Sequence, residues 1–169
     1  MFHAIRRLRV GAGAALLLAG TAAHAVDLEL TDVPAPIMEA VKFRFPEAKV
    51  MGAAQEETPE KKLIYEVALE EKTKNIDVSL TSEGAIFLIE KQIARKDLPK
   101  PALAALDKEF PKARYRTVVE VIEVKDKEEK LVSYEALLTT PQKQVRNVEL
   151  GLDGAITRVE KLVSEEEDE

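Results

Sequence analysis

The sequence lacks the side chains on which most enzyme sites and metal centres depend. It contains no cysteine and no tryptophan, and its two histidines, His3 and His24, both lie near the N-terminus. The rest of the chain therefore has no Ser-His or Cys-His nucleophile pair, no disulfide and none of the usual zinc, copper or haem ligands. Catalysis would have to use carboxylates, lysine or tyrosine, and the acids are scattered. We expect no catalytic residues, no metal site and no cofactor, and we predict that the protein is not an enzyme.

An export signal is predicted at the N-terminus. Three basic residues, Arg6, Arg7 and Arg9, precede the apolar run Val10–Ala19, and small residues follow it. This order is typical of a cleavable secretory signal peptide, which we predict at residues 1–25. The apolar run is shorter than the ~20 residues that a membrane-spanning helix needs. We therefore expect a periplasmic or secreted bacterial protein with no stable membrane insertion after cleavage.

The charge balance is strongly acidic once the signal peptide is removed. Residues 26–169 contain 22 basic and 31 acidic residues, a net charge of −9. Such a charge repels nucleic acids and anionic lipid surfaces, so we expect no nucleic-acid partner. It favours a partner with a basic face. The last six residues, 164–169, are almost all acidic, and we predict that they form a disordered tail.

One sequence pattern occurs twice. Segment 33–48 recurs as segment 98–113, at an offset of 65 residues. The identical pairs are Pro34/Pro99, Pro36/Pro101, Ala40/Ala105, Phe45/Phe110, Pro46/Pro111 and Ala48/Ala113. Later matches include Tyr65-Glu66 with Tyr134-Glu135, Gly84-Ala85-Ile86 with Gly154-Ala155-Ile156, and Glu90-Lys91 with Glu160-Lys161. Such internal similarity indicates a duplicated unit, which we predict at residues 26–92 and 98–163.

Each copy has the pattern of one helix followed by strands. A proline suits the first turn of a helix, as at Pro34 and Pro99, and a later proline ends it, as at Pro46 and Pro111. Apolar and polar residues then alternate, as in 63–70, which is typical of strands with one buried face. We therefore predict an α+β fold of two tandem repeats, each with one helix packed on about four antiparallel strands.

These motifs resemble those of a known family. A Leu or Val before proline, then Phe-Pro-x-Ala, Tyr-Glu-x-x-Leu and an acid-Gly-x-Ile turn make each copy similar to the PepSY-like, or β-lactamase-inhibitor-like, domains. The resemblance covers Val33–Glu90 and Leu98–Glu160. It implies a helix-plus-antiparallel-sheet fold, a secreted or periplasmic location and a binding or inhibitory role. This sequence lacks the disulfides and the many exposed aromatics of the inhibitor protein.

The resemblance and the predicted fold together suggest a binding module for an envelope protein or peptide. The sheet face away from the helices would bind the partner through Ile64, Glu66, Glu135 and Leu137. The alternative interpretation of Glu66 and Glu135 is that they are ordinary solvated strand residues. Tyr115 and Arg116 form the nearest approach to an aromatic–basic anchor. The alternative is a periplasmic sensor of a small ligand or a cation such as calcium, suggested by the acidic strands.

Overall fold

The computed structural model describes residues 25–58 and 60–162. The predicted signal peptide, except its last residue, and the predicted acidic tail lie outside the described residues. Within the described ranges the chain forms two α-helices and nine β-strands. The helices are α1 (Ala35–Arg44) and α2 (Lys100–Glu109). The strands are β1 (Val26–Leu28), β2 (Lys49–Glu57), β3 (Leu63–Glu71), β4 (Lys74–Thr81), β5 (Ile86–Gln92), β6 (Arg114–Lys125), β7 (Glu128–Thr139), β8 (Val145–Gly151) and β9 (Ile156–Leu162).

All nine strands belong to one antiparallel sheet, and their order in the sheet is their order in the chain. Strand β5 pairs with β6, with Glu90 opposite Val121. The segment between these strands contains the short 3-10 turn Arg95–Asp97 and α2, and it returns the chain to the edge of β5. The sequence did not decide between one continuous sheet and two separate lobes, and the structure shows a continuous sheet. The α+β class is confirmed.

The helices begin and end where the prolines predicted. Pro34 and Pro99 are the N-cap residues of α1 and α2. At the other end, the backbone N–H of Phe45 donates to the carbonyl oxygen of Val41, at 2.8 Å. Phe110 makes the equivalent bond in α2. Since the next residue in each case is proline, the helix cannot continue beyond the phenylalanine.

Both helices pack on the same side of the sheet. In α1, Ile37 and Val41 are buried, and Phe45 just beyond the helix packs with them on strands β2 to β5. In α2, Ala102 and Leu106 are buried against β6, β7 and β8. The alternation of side chains along the strands directs one set of residues to these helices: Tyr65, Val67, Leu69, Ile76, Val78, Leu80, Val118, Tyr134, Ala136, Leu138, Val148 and Leu150. Two adjoining apolar clusters on one sheet face therefore form most of the core.

Two hairpin turns lie directly beneath the helix N-termini. Gly84 and Gly154 have φ angles of 85° and 84°, which L-residues with a side chain rarely adopt. A Cβ atom on Gly84 would lie 2.7 Å from the carbonyl oxygen of Pro36, and one on Gly154 would lie 2.7 Å from Cβ of Pro101. These glycines therefore permit both the turn and the close approach of the helix, and the predicted hairpin turns are confirmed.

Candidate functional site

The side of the sheet that faces away from both helices is named the open face. Because successive strand residues point to opposite sides, the registers of the paired strands identify its members. Its central positions carry Ile64, Glu66, Asp77, Ser79, Leu88, Glu90, Val119, Val121, Ser133, Glu135, Leu137, Asn147, Glu149, Arg158 and Glu160. The open face thus collects residues from β3 through β9.

Four residues predicted to bind lie on the open face. Ile64 and Glu66 on β3 are half-buried, whereas Glu135 and Leu137 on β7 are buried, with 2% and 6% of their surface exposed. We expected Glu135 to be either a binding residue or a solvated strand residue, and it is not solvated. The sheet aligns these two pairs on one surface, and their role in binding stays a prediction.

Of the other two predicted residues, Tyr115 does not join this group, and Arg116 contacts Thr139 at the margin of the open face. Tyr115 points to the helix side, where its hydroxyl donates to Oδ1 of Asp107 at 3.1 Å. The guanidinium of Arg95 lies over the Tyr115 ring, 4.2 Å from its centre. It also forms a salt bridge with Asp107. Burial and then the Asp107 contact raise the pKa of the Tyr115 hydroxyl. Arg116 lies at a bulge of β6 and donates through Nε to Oγ1 of Thr139 at 2.6 Å. Both side chains have local partners that fix them.

The centre of the open face is buried although neither α1 nor α2 covers it. Leu88, Val119 and Val121 form a third apolar cluster, with 2%, 9% and 1% of their surfaces exposed. Phe87 and Val132, which are half-buried, pack against this cluster. Both lie where the strand pairing is shifted by an irregularity. Since bulges increase the twist of a sheet, neighbouring side chains on this face are brought together and exclude water.

Glu90 lies at this centre and was not among the residues predicted to bind. It has 6% of its surface exposed. Burial raises the pKa of its carboxyl group to about 9, and the charges of Glu135, Asp77 and Glu66 add to the shift. Glu90 is therefore protonated at neutral pH. The available signal was its position directly after the apolar run Ile86–Ile89, which is typical of a buried strand.

Two buried oxygens on the open face have no hydrogen-bond partner among the described residues. They are Oε1 of Glu90 and Oδ1 of Asn147. The amide of Asn147 is held from its other side, because Nδ2 donates to Oε2 of Glu135 at 2.9 Å. Buried acceptors are normally paired, and an unpaired one costs free energy. Each of these two oxygens can accept a hydrogen bond.

The charges of the open face are distributed unevenly. Among the central positions of the described strands, Arg158 is the single basic residue. Its Nη2 lies 3.8 Å from Oε2 of Glu160. The further bases of this face lie at or near strand ends: Lys49, Arg114, Arg116, Lys125 and Lys130. The centre of the face is therefore negative. A cation or a basic protein surface would be attracted to it.

Two findings for the described part of the chain concern metal ligands and membrane-spanning helices. No group of three or more His, Cys, Asp or Glu side chains within the described ranges is arranged to hold a metal ion. Among the same residues, no helix is long and apolar enough to cross a membrane.

Three solved structures with a similar fold come from Bacteroides species. A protein assigned to the periplasm of Bacteroides eggerthii has a TM-score of 0.60 and 14% identity, with 76% of this chain and 88% of that chain covered. A BLIP-like protein of Bacteroides fragilis has a TM-score of 0.55 and 12% identity, with 80% and 91% covered. A DUF2874 family protein of Bacteroides uniformis has a TM-score of 0.57 and 14% identity, with 76% and 88% covered.

These likenesses define the class of fold. The chain has a BLIP-like fold, that is, the α+β fold of the β-lactamase-inhibitor-like proteins. No protein-family model matches the sequence, and no curated protein matches it. At this level of identity the similarity concerns the fold, and function has to be argued from the site.

Proposed function

We propose that this protein is an exported periplasmic binding module that docks a basic envelope protein or peptide through the open face. It acts by binding, as an inhibitor or regulator, and not by catalysis. The observation that carries this proposal is the negative centre of the open face, where Glu66, Glu135 and Glu149 lie on a sheet surface that neither helix covers. Charge complementarity of this kind steers association and selects partners.

Export is proposed from two observations. The predicted signal peptide at residues 1–25 has the order of basic, apolar and small residues that secretory signals share. The similar protein of Bacteroides eggerthii is assigned to the periplasm. A net charge of −9 for residues 26–169 suits a soluble protein of that compartment.

We also propose that the chain is a tandem duplication of one PepSY-like unit. The order of one helix followed by four strands occurs as α1 with β2 to β5 and as α2 with β6 to β9. The matched glycines, Gly84 and Gly154, both approach the N-terminus of the preceding helix. Duplication would give the open face two equivalent acids, Glu66 on β3 and Glu135 on β7.

The test is an affinity capture from the bacterium that encodes the protein, with the full chain tagged at its C-terminus. A double variant of the open face, E66K/E149K, is compared with a helix-side variant, E39K/E109K, which makes the same change in charge at exposed positions. Thermal unfolding of both variants checks that they are folded. Mass spectrometry identifies what each retains.

One dominant, stoichiometric protein retained by the unchanged chain and by E39K/E109K, but lost by E66K/E149K, is the expected result. An empty capture, or equal retention by both variants, would overturn docking through the open face.

Calcium sensing is the second candidate, since acids line neighbouring strands of the open face. It has weaker support, because no three ligating side chains of the described residues are arranged for a metal. Binding to the folded state must raise the thermal midpoint. A calcium titration that leaves the midpoint unchanged would remove this candidate.

A further inference from the structure

The two edges of the sheet differ in how much backbone they expose to a further strand. At one edge, β1 has three residues, which pair with Ala53, Ala54 and Gln55 of β2. At the other edge, β9 has seven residues, and among the described strands it pairs with β8 alone. A very short edge strand limits pairing with another chain, whereas the outer side of a longer one presents backbone donors and acceptors. The outer side of β9 is therefore the longer pairing surface.

The equivalent edge in the first half of the chain is already paired. Strand β5 corresponds to β9 in the repeated sequence pattern, where Glu90-Lys91 matches Glu160-Lys161. The outer side of β5 pairs with β6 over five residue pairs. The last strand of the first half thus has a neighbour on its outer side, and the described part of the chain supplies none for β9. A strand added there would repeat a junction that the sheet already contains.

The middle of β9 carries one exposed apolar side chain between two opposite charges. Val159 lies on the helix side of the sheet, and 44% of its surface is exposed. Arg158 and Glu160 lie on the open face, and their side chains are 58% and 44% exposed. The 3.8 Å between Nη2 of Arg158 and Oε2 of Glu160 is longer than a hydrogen bond. Both charges are therefore accessible at the edge of the sheet.

The order Arg-Val-Glu is self-complementary in one antiparallel register. If two copies of β9 pair about Val159, Arg158 of each copy lies opposite Glu160 of the other. Opposite charges on directly opposed residues stabilise a strand pair, whereas like charges destabilise it. Centring the pair on Arg158 or on Glu160 instead would bring like charges together. A shift of the pairing by one residue would place open-face side chains opposite helix-side ones. The charges of β9 therefore favour one register with a second copy of the same strand.

We propose that β9 is the interface through which two copies of this chain associate, with their β9 strands antiparallel and centred on Val159. Because the same surface is used on both copies, the association closes at two chains and joins their sheets into one. The two-fold axis of an antiparallel strand pair is perpendicular to the sheet, so both open faces would lie on the same side. This inference depends on the edge strand and is independent of the docking function proposed for the open face.

The neighbouring strand β8 is compatible with these contacts. Glu149 lies opposite Arg158, and Asn147 lies opposite Glu160. In the pair of chains, Arg158 would lie between two acids, Glu149 of its own chain and Glu160 of the second copy. Glu160 would lie between the amide of Asn147 and a guanidinium, so the new junction adds attraction on both sides of the axis. The irregularity of this strand pair falls at Thr157, outside the three central residues of the interface.

Charge reversal tests both the association and its register. Arg158→Glu places two acids opposite each other on both sides of the axis, and Glu160→Arg places two bases there. The double variant Arg158→Glu/Glu160→Arg has opposite charges again, in reversed order. Lys42→Glu and Glu39→Arg are the matched controls, since they make the same changes in charge at exposed positions of α1. Thermal unfolding of every variant checks that it is folded.

Sedimentation velocity measures the association of protein purified from cells that express the full chain, from low micromolar to several hundred micromolar concentration. For the unchanged protein we expect an equilibrium between one and two chains within this range. Arg158→Glu and Glu160→Arg should each raise the Kd of the pair by about tenfold or more, because each loses two attractive contacts and gains two repulsive ones. The double variant and the two α1 controls should stay within about threefold of the unchanged protein.

A mixture of the two single variants distinguishes the interface from a general loss of structure. Arg158→Glu and Glu160→Arg should associate with each other when mixed in equal amounts, because each chain then meets the opposite charge. A single chain at every concentration, equal association of all variants, or a mixture that does not associate would overturn the β9 interface. Oligomers that continue to grow with concentration would also overturn it, since they would show that β9 pairs with a different edge.

Discussion

The amide Nδ2 of Asn147 donates a hydrogen bond of 2.9 Å to Oε2 of Glu135, across strands β7 and β8, and both side chains are more than nine-tenths buried. The position that corresponds to Asn147 in the first half of the chain is Asp77, at an offset of 70 residues. An amide can donate where a carboxylate can only accept. Asparagine at this position therefore holds a buried acid without adding a second buried charge.

Replacing that amide by a carboxylate should be destabilising. In Asn147→Asp two buried acids would meet, and the donor to Glu135 would be lost. We expect the free energy of unfolding at neutral pH to fall by about 3 kcal/mol, as when one partner of a buried polar pair is removed. Urea denaturation measures this. Asn75→Asp, the same change at a half-buried position of the open face, should cost less than about 1 kcal/mol. Equal losses for the two variants would contradict the special role of position 147.

The stability of the protein should fall as the pH rises. The folded protein keeps the proton of Glu90 up to a pKa of about 9, whereas the unfolded chain releases it near the ordinary value of 4.5. Between these values the folded state binds the extra proton, so the free energy of unfolding decreases by up to about 1.4 kcal/mol per pH unit. Glu90→Gln should flatten this dependence and raise the stability at neutral pH by on the order of 3 kcal/mol. Denaturation curves measured across this pH range test both effects.

The control for the pH effect is Glu160→Gln, which changes an acid at the outer strand of the same face. Its pH dependence of stability should follow that of the unchanged protein. If the two variants behave alike, burial of Glu90 is not the source of the dependence.

The turn glycine under α2 should not tolerate a side chain. Gly154 has a φ of 84°, and an added Cβ atom would lie against the backbone nitrogen of Ala102. We expect Gly154→Ala to lower the free energy of unfolding by at least about 2 kcal/mol, from backbone strain and displacement of the helix. Gly52→Ala is the comparison, since its Cβ would meet nothing within 4 Å. That variant should stay within about 1 kcal/mol of the unchanged protein in thermal or urea unfolding. A tolerated Gly154→Ala would show that the turn and helix can separate.

Core packing beneath α2 should be far more sensitive than the exposed surface of α1. Leu106 is fully buried, so Leu106→Ala should cost about 3 kcal/mol through lost burial and the cavity left behind. Phe43 is 90% exposed, and Phe43→Ala should change the stability by less than about 0.5 kcal/mol. Chemical denaturation of both variants gives the comparison. A large loss for Phe43→Ala would indicate a contact of this helix that the single chain does not reveal.

Local elements were predictable because local residues determine them. The prolines that flank each helix remove hydrogen-bond donors and fix the backbone, so Pro34 and Phe45 marked the limits of α1 correctly. The alternation in 63–70 predicted β3, and the glycine turns predicted two hairpins. The short strand β1 was missed, because three residues are too few for a periodic pattern.

The site was only partly predictable. Ile64, Glu66, Glu135 and Leu137 were assigned to the correct face, since alternation decides the side of a strand on which a residue lies. Tyr115 was grouped with them although it lies on the helix side, against Asp107.

The sequence by itself determined the composition-dependent and local properties of this protein: the α+β class, the ends of the helices, the turns, the two-sided pattern of the strands and the absence of cysteine. Tertiary structure alone decided that β5 pairs with β6. Because of this pairing, Glu90 lies in the interior of the sheet, whereas its counterpart Glu160 lies on the edge strand β9. Both acids are followed by lysine, but an apolar run precedes Glu90, whereas Thr157 and Arg158 lie before Glu160. Their burial, and with it the raised pKa of Glu90, depends on which strand lies beside them, and that pairing connects residues that are distant in the chain.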